Sequence, residues 1–194
     1  LEEFYPAITI ANLMVMVQDE AFTQYYKEIS QALLTIFRSL GDSFPQYVVP
    51  RLIEVTRACR GRPSHREFFL RQLASLVAII KVHAKPYMKA IFNLIADAWS
   101  EDHSVKVTVV SVLEQIGTAL GKEFAPHIAE LIPYLLRVVQ TDKSDERKLT
   151  AQVLSCVRSL SGCLTPHLHL VLPPVLMILD DSVVPIAVRQ SALG

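Results

Sequence analysis

Leu33, Leu73, Leu113 and Val153 stand 40 residues apart, and so do Ile36, Leu76, Ile116 and Cys156. Leu40, Ile80, Leu120 and Leu160 make a third column, and no gap is needed to hold the register. Within a unit the three positions fall at i, i+3 and i+7, the spacing of one apolar helix face. An amphipathic helix cannot bury that face alone, so a chain that repeats one at a fixed long period folds by stacking the copies. The columns predict an all-α solenoid. They also shift the functional question from a pocket for chemistry to a surface for other molecules.

The unit from about 124 to 163 shows the plan. Pro126 belongs at the start of a first helix, where its missing N–H costs nothing, and that helix carries Leu131, Leu135, Val138 and Val139. A turn, Thr141-Asp-Lys-Ser144, follows. Ser144 is expected to cap the second helix, with Asp145 and Glu146 set against the positive end of its dipole. Leu149, Val153, Cys156, Val157 and Leu160 line that helix. Pro6, Pro86 and Pro166 repeat the first-helix column, with Pro45 one place early, and Ser64 and Ser104 repeat the cap column. Ser64 with Glu67 reads as a capping box. Gly41 and Gly121 follow second helices, where a left-handed residue is wanted. These signals predict helix pairs at 5–18 and 23–40, 45–59 and 65–82, 86–99 and 105–120, 126–140 and 145–160, and 166–179 with a last helix over 184–193. The organisation expected is a single segment over 1–194, with units of about 4–43, 44–83, 84–123, 124–163 and 164–194, or about five antiparallel helix pairs. Pro50, Pro133 and Pro173 fall inside first helices, where a proline either bends a helix or breaks it in two.

Half of the chain is apolar and a fifth is charged, a balance that supports a large core. Nineteen basic residues offset nineteen acidic ones, which argues against a dedicated nucleic-acid binder while leaving room for a local basic patch. Cys59, Cys156 and Cys163 form no CxxC pair and read as reduced thiols in a helix core, in keeping with a cytosolic setting. No apolar run reaches the roughly 18 residues of a membrane span. The greasiest stretch, 168–179, is broken by His169, Pro173 and Pro174. Leu1 in place of a methionine, and a pattern cut at Gly194, lead to the expectation of a piece of a longer protein whose end repeats expose apolar faces able to self-associate.

A 40-residue period with two helices per unit is the length of HEAT repeats. Leu172-Pro-Pro174-Val-Leu-Met-Ile-Leu-Asp-Asp181, followed by Val188-Arg189 and Ala192-Leu193, resembles the HEAT pattern. In that family the aspartate and arginine interact along the stack, which here implies Asp180 or Asp181 with Arg189. The resemblance extends to one kinase family. Phe4-Tyr-Pro6 with Ile10-Ala11 and Leu13-Met14, Ile36-Phe-Arg-Ser-Leu-Gly41, and Arg66-Glu-Phe68 with Gln72-Leu73 look like the target-of-rapamycin (TOR) serine/threonine kinases. Glu114-Gln-Ile116 with Ala119-Leu-Gly121, Leu131-Ile-Pro133 with Leu136-Arg-Val138, and His169-Leu-Val-Leu-Pro-Pro174 continue the series in order. It covers nearly the whole chain and resembles the HEAT region upstream of the kinase domain.

That resemblance implies a non-catalytic scaffold of a growth-controlling kinase. The partners it implies are a Raptor-type subunit and a second TOR copy. It implies a cytoplasmic location, with recruitment to the lysosomal or vacuolar surface in a complex. The chain shows no Gly-rich phosphate loop, no His-Arg-Asp loop and no Asp-Phe-Gly. Other classes stay open at this point: a HEAT transport receptor, a phosphatase scaffold, or a phosphate- or nucleic-acid-binding solenoid.

The strongest local departure lies between Arg51 and Arg71. Arg51, Arg57, Arg60, Arg62, Arg66 and Arg71 outnumber Glu54 and Glu67. The corresponding turns of other units are acidic: Asp19-Glu20, Glu101-Asp102, Asp142 and Asp180-Asp181. Arg60, Arg62 and Arg66 are the candidate docking residues, suited to a partner carboxylate or phosphate through bidentate contacts. The competing reading is an ordinary solvated turn. No catalytic, cofactor or metal site is expected. His127 and His167 fall one repeat apart where other units have Tyr47 and Tyr87, and zinc needs three or four convergent ligands. A Ser, Cys163 and His167 grouping has nothing to orient a base or form an oxyanion hole. Phe68, Phe69, Phe92 and Trp99 have helical spacing and read as core.

Overall fold

The computed structural model describes residues 4–40, 45–100 and 102–193, and among them every regular element is helical. The helices are α1 (Phe4–Gln18), α2 (Tyr26–Leu40), α3 (Pro45–Ala58), α4 (Pro63–Ile80), α5 (Met88–Ala98) and α6 (His103–Leu120). They continue as α7 (Ala125–Thr141), α8 (Lys148–Ser159), the short α9 (Ser161–Leu164), α10 (Leu168–Asp180) and α11 (Ile186–Leu193). The fold is an all-α, HEAT-type solenoid with the 40-residue period read from the sequence. It divides into two compact units, Leu1–Val112 and Leu113–Gly194, with the boundary inside α6.

In the first unit α1 packs on α2 and α3 on α4, and the pairs stack with α1 on α3, α3 on α5, and α2 on α4. In the second unit α7 packs on α8 and α10 on α11, with α7 on α10 and α8 on α11. Within each unit, first helices thus form one layer and second helices the other. The apolar columns fill the space between. Leu33, Leu73, Leu113 and Val153 have no exposed surface, and Leu76, Ile116, Cys156, Ile80, Leu120 and Leu160 are buried, while Ile36 is half-buried. The side chain of Leu40, together with Gly41 and Glu101, lies outside the described residues.

Adjacent second helices are also tied by polar contacts at a near-repeat spacing. Thr108 donates its hydroxyl to Glu67 at 3.2 Å, and Ser155 and Ser159 donate theirs to Glu114 at 3.2 and 2.8 Å. In each case a half-buried carboxylate meets hydroxyls one repeat further on. These bonds reinforce the register that the apolar columns set.

Three local expectations need correction. Ser144 does not cap α8, which begins four residues later at Lys148. Asp142 takes that role from the end of α7: its carboxylate accepts from the Thr150 backbone N–H at 3.0 Å and the Thr150 hydroxyl at 2.9 Å. It also accepts from Ser144 N and Oγ. A charged acceptor reaching the third residue of the helix outcompetes a neutral hydroxyl nearer in sequence. Burial works to raise the Asp142 pKa, but the bonds from Ser144 and Thr150 outweigh it and hold the group below the usual carboxylate value. Likewise Ser64 is not a cap, because Pro63 already opens α4 and Arg62 stands at the cap position, where its side chain makes no capping bond. Glu67 accordingly bonds Arg71 and Thr108 rather than closing a capping box. Finally, Asp181 pairs with Arg147 of the preceding repeat at 3.7 Å rather than with Arg189, whose Nε is buried without a hydrogen-bond partner.

Pro50, Pro133 and Pro173, with Pro174, sit inside unbroken helices, so the alternative of split first helices is set aside. The expectation that no run is long enough to span a membrane also changes. Joined through the 3-10 turn Thr165–His167, residues Ser161–Asp180 form a 20-residue helical run of mean hydropathy 1.5, long and apolar enough to cross a bilayer by length and composition alone. A count of consecutive apolar residues misses this run, because a helix averages over its polar interruptions. In this structure the run supplies the first helix of the fifth pair, packed on α7 and α11.

Gly121 is left-handed at φ +52, as its place after α6 requires. One repeat earlier, Lys81 occupies the same column with φ 47 and ψ −116, a region that disfavours residues with a Cβ. Lys81→Gly is therefore expected to raise stability by about 1 kcal/mol, strain relief exceeding the added freedom of the unfolded chain. A urea titration checks this, and an unchanged or lower midpoint would contradict it.

Candidate protein-docking turn

The turn between α3 and α4 is built by short-range bonds. Cys59 N–H bonds Val55 O, Arg60 N–H bonds Arg57 O, and Arg62 N–H bonds Cys59 O at 3.0 Å. Gly61 at φ +82 allows the reversal, with no neighbouring atom near a Cβ position. Pro63 then fixes the first turn of α4. This geometry turns Arg60 and Arg62 outward as exposed side chains.

Arg66 behaves differently from its two neighbours. Its side chain is 0 % exposed and donates from Nη2 to Asp97 Oδ2 at 3.0 Å. Arg66 therefore drops out of the candidate docking residues, because a side chain without exposed surface cannot meet a partner. The signal was present: Arg66 lies four residues before Leu70 and seven before Leu73, on the buried stripe of α4. Asp97, on α5, is not signalled by the repeat, because its column holds Val17, Arg57, Arg137 and Met177 in the other units. A buried guanidinium requires an acid, and nothing in the period says where that acid is.

Asp97 also draws in the surface. Arg60 Nη1 lies 3.4 Å from its Oδ1. The hydrogen bond from Arg66 and the positive charges of Arg60, Arg66 and Arg57 hold the Asp97 carboxyl below its ordinary value, against the opposing effect of burial. One carboxylate therefore anchors a buried arginine and orients an exposed one. Burial pushes the Cys59 thiol up, while Arg62 and Arg66 pull it down. The His65 imidazole is lowered, first by burial and then by Arg62. His65 Nε2 is hydrogen-bonded to the Tyr26 hydroxyl of the preceding repeat, and the two rings meet edge to face.

Of the aromatics read as core, Phe69, Phe92 and Trp99 are buried. Phe68 is only half-buried, stacked at a tilt against Tyr26 with ring centroids 6.0 Å apart. Cys59 and Cys156 are buried free thiols, Cys156 pushed up to about 12 by burial, and Cys163 is half-buried. His127 and His167 are half-buried, and among the described residues no group of three or more His, Cys, Asp or Glu is placed to hold a metal ion.

Comparison with known proteins gives the geometry a context. Residues 1–81 match the family described as the serine/threonine-protein kinase mTOR domain, and residues 47–190 match importin subunit beta-1-like TPR repeats. The chain is similar to the target of rapamycin homolog of Caenorhabditis elegans, 58 % identical over 200 residues. It is 38 % identical over 196 residues to the serine/threonine-protein kinase mTor of Drosophila melanogaster. Both alignments take in the whole chain, which spans only 7 % and 8 % of those relatives' lengths. A chain from the solved structure of Kap95p with RanGDP superposes with a TM-score of 0.65, covering 96 % of this chain and 24 % of that one. At 16 % identity it shows the fold alone. The chain belongs to the target-of-rapamycin serine/threonine kinase family, as a segment of its helical-repeat region upstream of the kinase domain, built from repeats of the importin subunit beta-1-like kind.

Proposed function

We propose that this segment is a non-catalytic scaffold that docks protein partners for a TOR-type kinase, the phosphoryl-transfer chemistry residing elsewhere in the longer protein. The observation that carries the reading is the end-to-end likeness to TOR proteins of a chain built from stacked helix pairs. Within each unit, stacked helix pairs hold their inter-helix turns at set separations and present them to partners. The partners proposed are a Raptor-type subunit and a second TOR copy, in the cytoplasm and on the lysosomal or vacuolar surface. Arg60 and Arg62 are the docking side chains, and Arg66 is the buried anchor that fixes the turn through Asp97. Exposed apolar residues of the fifth pair, among them Leu176, Met177 and Ile186, offer the isolated chain a route to self-association.

The test is a pull-down from lysate with the chain and with its Arg60→Glu/Arg62→Glu form. Arg66 is left intact because a carboxylate there would be buried against Asp97. The expected result is recovery of TOR-complex subunits by the chain and loss of at least tenfold on reversal. Equal recovery by both forms would remove the two arginines as the docking site.

A further inference from the structure

Alongside the arginine turn lies a cleft of about 400 Å³, lined by Tyr26, Ser64, Glu67, Phe68, Arg71 and Gln72. Its wall is aromatic, since Phe68 stacks on Tyr26 and neither ring is fully buried. Arg62, exposed at the start of α4, stands two residues before Ser64 of the lining. Arg71 stands at the other end, with 62 % of its side chain exposed. Glu67 is the acid in the lining, and Arg71 Nη2 pairs with it at 3.1 Å while also donating to Thr108 at 3.3 Å. Both of those bonds leave from one nitrogen, and a guanidinium carries five N–H donors in a fork. The outer edge of Arg71 thus remains directed at solvent.

From this arrangement we infer that the cleft and the arginine turn together form one binding surface for a short acidic protein segment carrying an aromatic anchor. The inference rests on the docking reading above and adds the chemistry of the partner. An aromatic side chain enters between Ser64 and the Tyr26–Phe68 wall, where ring contacts in offset or edge geometry are favourable. Carboxylates on either side of it meet Arg62 and Arg71 through charge-assisted bonds. Spacing follows from helix geometry. Nine residues separate Arg62 from Arg71, about 13 Å at 1.5 Å per residue along α4. An extended peptide covers that distance in about four residues, which places one acid two residues before the aromatic and one two residues after it. A nucleic acid fits less well, because nineteen acidic residues offset nineteen basic ones and leave no general attraction for a polyanion, whereas a short segment needs only two arginines for its two carboxylates.

The probe is a fluorescein-labelled Gly/Ser peptide with a central Trp and an Asp two positions to each side. Its controls carry Ala for Trp, or Lys for both Asp residues. Anisotropy titration against the whole chain is expected to show at least tenfold tighter binding of the Trp/Asp peptide than of either control, with affinity falling as salt rises. Arg71→Glu, an exposed position whose fold is verified by circular dichroism, should weaken binding at least tenfold. Ser64→Tyr, which fills the cleft from an exposed position, should do the same without changing any charge. Equal binding of the Trp and Ala peptides, or indifference to Arg71→Glu and Ser64→Tyr, would overturn the inference. So would a single-stranded RNA dodecamer that binds more tightly than the peptide. If TOR-complex subunits are captured and lost on Arg60/Arg62 reversal while the peptide fails to bind, docking stands and the cleft does not. If the peptide binds as described but the reversal changes no capture, the cleft stands and the docking reading falls.

Discussion

Asp97→Ala is expected to destabilise the chain by about 3 kcal/mol, because it takes from a buried guanidinium the carboxylate that offsets its desolvation. Arg66 has 0 % exposure and Asp97 32 %, so the loss falls at the low end of the range for buried pairs, water still reaching one partner. Arg66→Met should cost far less, within about 1 kcal/mol of the parent in either direction, since an apolar chain of similar length needs no counter-charge. The contrast between the two midpoints in urea is the diagnostic. Equal losses would mean that packing rather than charge is at stake.

The same pair predicts an acid limb. The folded pKa of Asp97 lies below its ordinary value of 3.8. A depressed carboxylate stabilises fully above its unfolded pKa, and the contribution is lost as pH falls through the folded one. The difference in stability between parent and Asp97→Asn should therefore hold from neutral pH to about pH 5 and shrink below about pH 4. A gap that stayed constant to pH 2 would show that the carboxylate charge plays no part.

Gly117→Val is expected to cost about 3 kcal/mol through overpacking. A Cβ at Gly117 would lie 2.1 Å from Leu160 Cδ2, 3.4 Å from Leu160 Cγ and 3.6 Å from Phe124 Cδ1. Leu160 and Phe124 are themselves buried, so Leu160 has little room to turn away. The better helix propensity of an ordinary residue over glycine, at most about 1 kcal/mol, does not offset that clash. Leu160→Ala alone should cost about 3 kcal/mol by leaving a cavity. Combined with Gly117→Val, it should lose clearly less than the sum, with a coupling of 1 kcal/mol or more. Strict additivity would mean that the two sites do not share the space the geometry gives them.

The repeat could be read before any coordinates because burial imposes it. Leu33 and Leu73 face the same interlayer space in successive copies, and only an apolar residue is tolerated there. The helix pairs follow the expected ranges closely for the same reason. Caps were harder. Ser144 satisfies the local rule for an N-cap, yet Asp142, a residue of the previous turn, reaches across eight positions to Thr150 and wins. Local pattern ranks the acceptors that lie next to a helix start; it has no view of one that the turn folds back over it.

The candidate docking turn divides along the same line. Its excess of arginine over acid, against the acidic turns of the other units, is a property of the sequence. Which arginine faces water is a property of the fold. Arg60 and Arg66 sit six residues apart and share one carboxylate, yet their exposures are 64 % and 0 %. The period predicts neither Asp97 beneath them nor the Tyr26–Phe68 wall beside them, since each pairs residues from neighbouring repeats at positions where the repeats differ.

By itself, then, the sequence determined the helical period, the two layers and the kinship of this chain. Each is enforced by many apolar positions acting in concert, so that no single residue can obscure the pattern. Only the tertiary structure decided which charges pair, which caps form and which aromatic rings stay open, because those outcomes turn on single contacts between repeats, where a few ångströms separate a buried arginine from an exposed one.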